Sequence, residues 1–151
     1  MRTLRLRRHC VAVLAWMALL GAIQSNLADS RPADAVAIRS LLKAAFEKPD
    51  APLSVEPIVV GTAYAVAGWR QQDRGGRALL RQHHGIWSVV VCSGDPLRHA
   101  AGLVEAGVSE DEARRLASDI ATAEAALDPH ARHLLSTFEG TVDMSAHPRH
   151  P

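Results

Sequence analysis

Apolar residues recur with the period of an α-helix in residues 30–46. Five of them share one face at spacings of three, four, seven and eight positions: Ile38, Leu41, Leu42, Ala45 and Phe46. Ser30 and Pro32 suit the start of this helix, and Pro49 and Pro52 end it. The pattern predicts an amphipathic helix that buries one face against the rest of the domain.

Short stretches with the alternation of strands follow this helix. The first, residues 55–60, contains Pro57, which indicates an edge strand or a bulge. The second, residues 64–71, alternates so that three side chains share one face: Ala65, Ala67 and Trp69. The connections are short, which favours an antiparallel meander, because a parallel crossover needs about a dozen residues or more.

Two more strands are predicted between glycine-containing turns. Gly75-Gly76 predicts a turn before a strand at residues 77–82, and His83-His84-Gly85 predicts the next turn. Residues 86–92 form the most apolar strand, and strict alternation places three side chains on one face: Trp87, Val89 and Val91. Trp69 and Trp87 are expected to be core aromatics on neighbouring strands.

Capping signals divide the C-terminal part into helices. Asp95-Pro96 predicts an N-cap followed by proline at the first helical position, and Asp128-Pro129 repeats this arrangement. Between them, Ser109 and Glu112 have the spacing of a capping box. Glu124 interrupts the apolar side of the middle helix, so the apolar stripe is expected to narrow there.

These elements predict one α+β domain at residues 29–140. It consists of an N-terminal helix packed on an antiparallel sheet of about four strands, followed by two or three helices. By analogy only, a helix followed by a meander suggests a curved sheet of the cystatin-like or nuclear-transport-factor-two-like kind. Residues 141–151 are expected to form a short, flexible tail that contains His and Met.

Residues 1–28 have the pattern of an export signal. Four arginines precede an apolar run at residues 10–23, and Ser25 and Ala28 are candidate cleavage points after it. The run is shorter than the about 20 residues that a membrane-spanning helix needs. The mature chain is therefore expected outside the cytoplasm, without a stable membrane span after signal cleavage.

Loss of the signal changes the charge and the cysteine content. The chain has 17 Lys and Arg against 16 Asp and Glu, and the four leader arginines would leave a mature net charge of −3. This balance argues against nucleic acid as a partner, because nucleic acid favours a basic face.

Cys92 would remain as the only cysteine after loss of the signal. A buried thiol, a soft metal ligand and an intermolecular disulfide stay open for it.

The residue types that suit a metal ion lie near the C-terminus. Met144, His147 and His150 are spaced three residues apart, and thioether and imidazole groups suit copper. His130 and His133 share a face of a predicted helix and can add ligands if that helix lies near the tail. The alternatives are a solvated terminus and two exposed polar side chains on an amphipathic helix.

Motifs of common enzyme classes are missing from the chain. It contains no Gly-x-Ser-x-Gly, no His-Glu-x-x-His, no P-loop and no Rossmann glycine pattern. We therefore expect no catalytic residues and a protein that is not an enzyme.

Several sequence blocks together resemble one small family of exported bacterial proteins, the copper uptake system-associated proteins. The similarity extends from about Asp34 to the end of the chain. The blocks that carry it are the 38–46 helix, the 49–57 segment, Ala67-Gly68-Trp69, Gly75-Gly76-Arg77-Ala78-Leu79-Leu80, the 85–95 segment ending in Cys92-Ser93-Gly94-Asp95, and Phe138-Glu139-Gly140-Thr141-Val142.

The resemblance implies a periplasmic role beside copper acquisition, together with a copper receptor and copper chaperones, and no known reaction. The expected function is an accessory role in copper uptake or handling, by weak copper binding or by docking to a copper-transfer partner. Two alternatives stay open. One is a metal-free protein-interaction module, and the other is a small-molecule binder or enzyme with a pocket between helix and sheet.

Overall fold

The fold is α+β and is built on one antiparallel sheet. The structure is a computed structural model that describes residues 30–145, so the expected export signal and the tail residues His147 and His150 lie outside the described part. The chain divides into two units, residues 1–32 and 33–151, and only residues 30–32 of the first are described.

The described residues form four α-helices and five strands, and the strands are neighbours in chain order. A 3₁₀ helix at Asp95–Arg98 precedes the second α-helix. The elements are α1 Ser30–Phe46, β1 Ser54–Val60, β2 Tyr64–Gln71, β3 Arg74–His83, β4 Ile86–Ser93, α2 Ala100–Glu105, α3 Glu110–Ala125, α4 Pro129–Leu134 and β5 Thr141–Asp143.

The predicted α+β class and the antiparallel meander are confirmed, with five strands instead of about four. The additional strand is β5, which pairs antiparallel with β4 so that Val142 lies opposite Cys92. Its residues belong to the stretch 141–151 that the sequence predicts as a flexible tail. Pro57 lies in the edge strand β1, beside an irregularity in the pairing with β2, as its position in the sequence indicated.

Apolar side chains cover both faces of the sheet. On one face, here called the α1 face, Ile38 and Leu42 are buried in a cluster with Ala65, Ala67 and Leu80. On the other, the α3 face, the members of the buried cluster include Val66, Leu79, Leu103, Leu116 and Ile120. The alternation predicted along β2 is confirmed, because its odd-numbered and even-numbered residues divide between these faces.

The strict alternation predicted along β4 is wrong. Leu79 pairs with Val91 and Leu80 pairs with Val89, so Val90 is an extra residue in a β-bulge. The bulge turns Val91 onto the α3 face and places Cys92 on the α1 face with Trp87. It thereby decides on which side of the sheet the thiol lies.

The turn predicted at Gly75-Gly76 is also wrong, because both glycines lie inside β3. The hairpin turn lies earlier, at Gln72, where φ is +57°. A Cβ on Gly75 would lie 2.9 Å from the Leu134 carbonyl oxygen, and a Cβ on Gly76 would lie 2.8 Å from Phe138 Cβ. The glycines are therefore required because the end of α4 and the segment after it approach the sheet closely.

The capping box predicted at Ser109 and Glu112 is wrong. Ser109 makes no side-chain cap hydrogen bond. The Glu112 carboxylate instead accepts hydrogen bonds from three successive backbone N–H groups of the β1–β2 turn, at 2.8 to 3.2 Å, on Thr62, Ala63 and Tyr64. The predicted N-cap at Asp128 is confirmed, since its carboxylate accepts from the Ala131 N–H at 2.9 Å.

A buried ion pair joins the sheet to α3 and to the segment after α4. Arg77 Nε and Nη2 donate to the two carboxylate oxygens of Glu124 at 2.6 and 2.8 Å, and Nη1 donates to the Leu135 carbonyl oxygen at 3.2 Å. The two charged side chains are 1% and 2% exposed. Glu124 therefore interrupts the apolar stripe of α3 because it is the buried partner of Arg77.

The predicted N-cap role of Asp95 is also wrong, because its carboxylate binds partners outside the 3₁₀ helix. The 3₁₀ helix has no side-chain cap, and the Asp95 carboxylate accepts from Ser136 Oγ at 2.6 Å and from Arg77 Nη1 at 3.4 Å. The hydrogen bond from Ser136 and the charge of Arg77 lower the pKa of Asp95. Asp95 thus links the start of the 3₁₀ helix to the chain after α4.

We predict that Glu124→Ala lowers the free energy of unfolding by about 3–5 kcal/mol, because it removes the buried counter-charge of Arg77 and leaves only the exposed Asp95 carboxylate, at 3.4 Å. Urea denaturation measures the change. The control is Glu110→Ala, which removes a carboxylate from an exposed pair with Arg114 and should change stability by less than about 0.5 kcal/mol. A loss below about 1 kcal/mol for Glu124→Ala would contradict the burial of this pair.

Candidate functional site

A cavity of about 390 Å³ lies between the end of α1, the sheet and the C-terminal segment. Its wall is mainly apolar and comes from five parts of the chain. The apolar lining residues are Leu42, Ala45, Phe46, Leu53, Trp69, Ala78, Cys92, Phe138, Val142 and Met144. The rings of Trp69 and Phe138 meet edge-to-face with their centroids 5.6 Å apart, which gives this wall a fixed shape.

Three polar residues complete the lining: Glu47, Lys48 and Gln71. Gln71 Nε2 donates to the carbonyl oxygens of Phe46 and Ala51, at 3.1 and 2.8 Å, so its amide N–H groups are already used. The Glu47 carboxylate accepts from Lys43 Nζ and from the Leu53 N–H. These two hydrogen bonds, mainly the one from Lys43, lower the pKa of Glu47.

Lys48 is the exception among these polar residues. Its side chain is exposed and makes no ion pair or side-chain hydrogen bond within residues 30–145. The negative charge of Glu47 is matched by Lys43, so the ammonium of Lys48 gives this edge of the cavity a positive charge.

Cys92 lines the cavity as a protonated thiol. It packs against the cluster on the α1 face, and this burial raises its pKa from 9.0 to about 11. A thiol that stays protonated at neutral pH is a weak nucleophile and a weak metal ligand. The environment of Cys92 is therefore that of a packed thiol.

The structure places the predicted metal ligands in different surroundings. Met144 lines the cavity, and its N–H donates to the Val90 carbonyl oxygen at 2.8 Å, which extends the β4–β5 pairing by one residue. His130 and His133 are exposed on α4. Within residues 30–145, no group of three or more His, Cys, Asp or Glu side chains is arranged to hold a metal ion.

The direction of β5 separates Met144 from the histidines of α4. Thr141 pairs with Ser93, at the end of β4, and the chain then runs back along β4 toward Val90. The end of α4 lies near the start of this path, at the end away from Met144, because Leu134 approaches Gly75 there. The described chain therefore leads away from His130 and His133 rather than toward them.

Sequence reasoning missed most of the cavity wall. Phe138, Val142 and Lys48 were not singled out as site residues, because they belong to separate parts of the chain: Lys48 follows α1, Phe138 precedes β5, and Val142 lies in β5. One signal was available: Thr141-Val142-Asp143-Met144 alternates between polar and apolar residues, which is typical of a strand with one face on the core. With that alternation, Val142 and Met144 would have been predicted to face inward together.

Comparison of the chain with protein-family models, with curated proteins and with solved structures finds no match. Among residues 30–145, no helix is both long and apolar enough to cross a membrane. The function has to be inferred from the residues and their contacts.

We predict that Cys92 in the folded protein reacts with iodoacetamide at pH 8 about 100-fold more slowly than in the urea-unfolded chain. A pKa of about 11 leaves about 0.1% thiolate at pH 8, whereas a pKa of 9.0 leaves about 10%. Raising the pH populates the thiolate, so the rate in the folded protein should increase about tenfold per unit up to about pH 10. Mass spectrometry of the Cys92 peptide follows the reaction. Equal rates in folded and unfolded chains would contradict the burial of the thiol.

Proposed function

We propose that this chain is an exported accessory protein of copper uptake or copper handling. In this proposal it binds copper weakly through its C-terminal segment or docks to a copper receptor or copper chaperone. The observation that supports it best is the position of Met144, which β5 holds at the sheet three and six residues before His147 and His150. The resemblance to the copper uptake system-associated proteins supports the choice of metal.

Anchoring of Met144 matters for the energetics of a tail that binds a metal. Each residue that must be fixed costs about 1–2 kcal/mol of backbone entropy. A ligand set that begins at a residue already hydrogen-bonded to β4 has fewer residues to order than a set on a free segment. A soft thioether at the anchored position also favours Cu(I), whereas Cu(II) relies mainly on imidazole.

We infer in addition that α1 lies across a curved sheet, as in cystatin-like or nuclear-transport-factor-two-like domains. What supports this arrangement is the burial of Ile38 and Leu42 in the same cluster as Ala65, Ala67 and Leu80 of the central strands. An arrangement of this kind places the end of α1 over the sheet and leaves space for a cavity beside it.

We predict that the exported protein begins near Asn26 or Asp29. The arginine-rich start and the apolar run at residues 10–23 have the pattern that signal peptidases process. Mass spectrometry of the periplasmic fraction measures the N-terminus. Recovery of a chain with intact Met1 from the soluble cytoplasmic fraction alone would contradict export.

We predict that the double variant His147→Ala/His150→Ala binds copper at least about tenfold more weakly than the parent protein. Two imidazole ligands are lost, while β5 and Met144 stay in place. Competition titration against a chelator of known affinity, separately for Cu(I) and Cu(II), measures the change. Parent affinity should fall below about pH 6.5, because protonated imidazole cannot bind metal.

The matched control is His130→Ala/His133→Ala, which removes two exposed imidazoles from α4 and should leave copper affinity unchanged. A loss in this control, with none in the tail variant, would move the site to α4. Absence of copper binding by the parent at micromolar copper would overturn the direct-binding form of the proposal. Only docking to a copper-transfer partner would then remain.

A further inference from the structure

We propose that the cavity at the end of α1 binds an apolar monocarboxylate. The apolar part of the ligand enters the cavity, and its carboxylate pairs with the Lys48 ammonium at the rim. This inference does not depend on copper binding, because it uses the volume, the carbon lining and the rim charge of the cavity.

The volume of the cavity sets the size of the ligand. About 390 Å³ is roughly two and a half times the about 150 Å³ apolar cavity known to hold benzene, and it falls within the range of ligand pockets. A fused bicyclic aromatic ring or a medium-length aliphatic chain therefore fits. Interiors are normally close-packed, so a guest that fills this space gains dispersion contacts that the empty wall lacks.

The chemistry of the wall excludes a strongly polar ligand. Leu42, Phe46, Trp69, Phe138 and Met144 present carbon and sulfur to the cavity, and Cys92 is held as a neutral thiol. The edge-to-face pair of Trp69 and Phe138 offers a rigid surface to a flat aromatic group. A charged or hydroxyl-rich molecule would lose its hydration here without replacement hydrogen bonds.

The charges at the rim select the polar end of the ligand. Among the described residues that line the cavity, Glu47 carries the only carboxylate, and it is already bonded to Lys43 and to the Leu53 N–H. Gln71 donates its amide N–H groups to two backbone carbonyl oxygens, so they are not available to a ligand. Of the polar side chains in this described lining, Lys48 alone has no partner within residues 30–145, so the rim favours a carboxylate over a neutral group and disfavours an amine.

Two neighbouring alanines of α1 provide a matched pair of variants. Both alanines are exposed, but Ala45 lines the cavity at its rim and Ala44 does not line it. A phenylalanine at position 45 adds a ring at the rim of the cavity, where it narrows the entrance, and a phenylalanine at position 44 adds the same ring to the same helix away from the cavity. Val142 is 41% exposed and lines the cavity from β5, so Val142→Phe adds a ring to a different part of the wall and serves as a second blocking variant.

The test is a two-dimensional NMR titration with 2-naphthoate, 2-naphthylmethanol and 2-naphthylmethylamine in buffer that contains a metal chelator. We expect saturable one-to-one binding of 2-naphthoate below about 1 mM, seen as shifts of the Met144 methyl and the Trp69 indole N–H signals. The Trp87 indole N–H, which donates to Asp34 at 2.9 Å and does not line the cavity, is the internal reference.

Ala45→Phe and Val142→Phe should each weaken 2-naphthoate binding at least tenfold, and Ala44→Phe should leave it unchanged. Lys48→Gln should weaken 2-naphthoate two- to fivefold, the range for an exposed ion pair, and leave 2-naphthylmethanol unaffected. Thermal unfolding of each variant checks that the fold is retained.

Three results would overturn the proposal. They are absence of saturable shifts at 1 mM 2-naphthoate, undiminished binding in folded Ala45→Phe or Val142→Phe, and binding of 2-naphthylmethylamine as tight as that of 2-naphthoate. The chelator keeps these outcomes separate from the copper titration, so either proposal can fail while the other stands.

Discussion

The buried pair of Arg77 and Glu124 is the interaction on which the rest of the structure depends. An arginine in the middle of a sheet is costly to desolvate unless its donors are all used. Two of its nitrogens bind Glu124 on α3, and the third binds Leu135 and Asp95. One side chain thereby fixes the helix layer, the start of the 3₁₀ helix and the chain after α4 against β3.

The position of Leu135 also determines where the following chain forms one wall of the candidate site. Phe138 follows three residues later, packs on Trp69 and lies directly over Gly76, where a side chain would collide with it. Buried Ser93 then donates to the Gly140 carbonyl oxygen at 2.9 Å, and β5 pairs with β4 from that point. Met144 and one wall of the cavity are thus placed by a series of contacts that begins at the Arg77–Glu124 pair on the α3 face of the sheet.

Local sequence patterns predicted the fold class. Contacts between residues that are distant in sequence decided most of the details that the patterns did not predict. Periodicity identified α1 and the meander, because helices and strands that bury one face repeat that face in sequence. The bulge at Val90 escaped detection because valine suits both faces of this sheet equally well. Gly75-Gly76 resembled a turn, although its cause is a segment about 60 residues further along the chain. Glu112 matched a local cap, yet the N–H groups that it accepts from lie 48 to 50 residues away.

For the candidate site, Met144 was identified from its chemistry, but the cavity beside it was not, because its walls come from separate segments.

Both proposals rest on the docking of residues 141–144 against β4, which amide hydrogen exchange and nuclear Overhauser contacts measure directly. In the docked arrangement the Met144 N–H is bonded to Val90, so it should exchange at least about tenfold more slowly than an unstructured amide. The Met144 methyl group should also show contacts to residues of the cavity wall such as Trp69. Exchange of Met144 at the unstructured rate, with no contact to the wall, would contradict the position of the C-terminal segment.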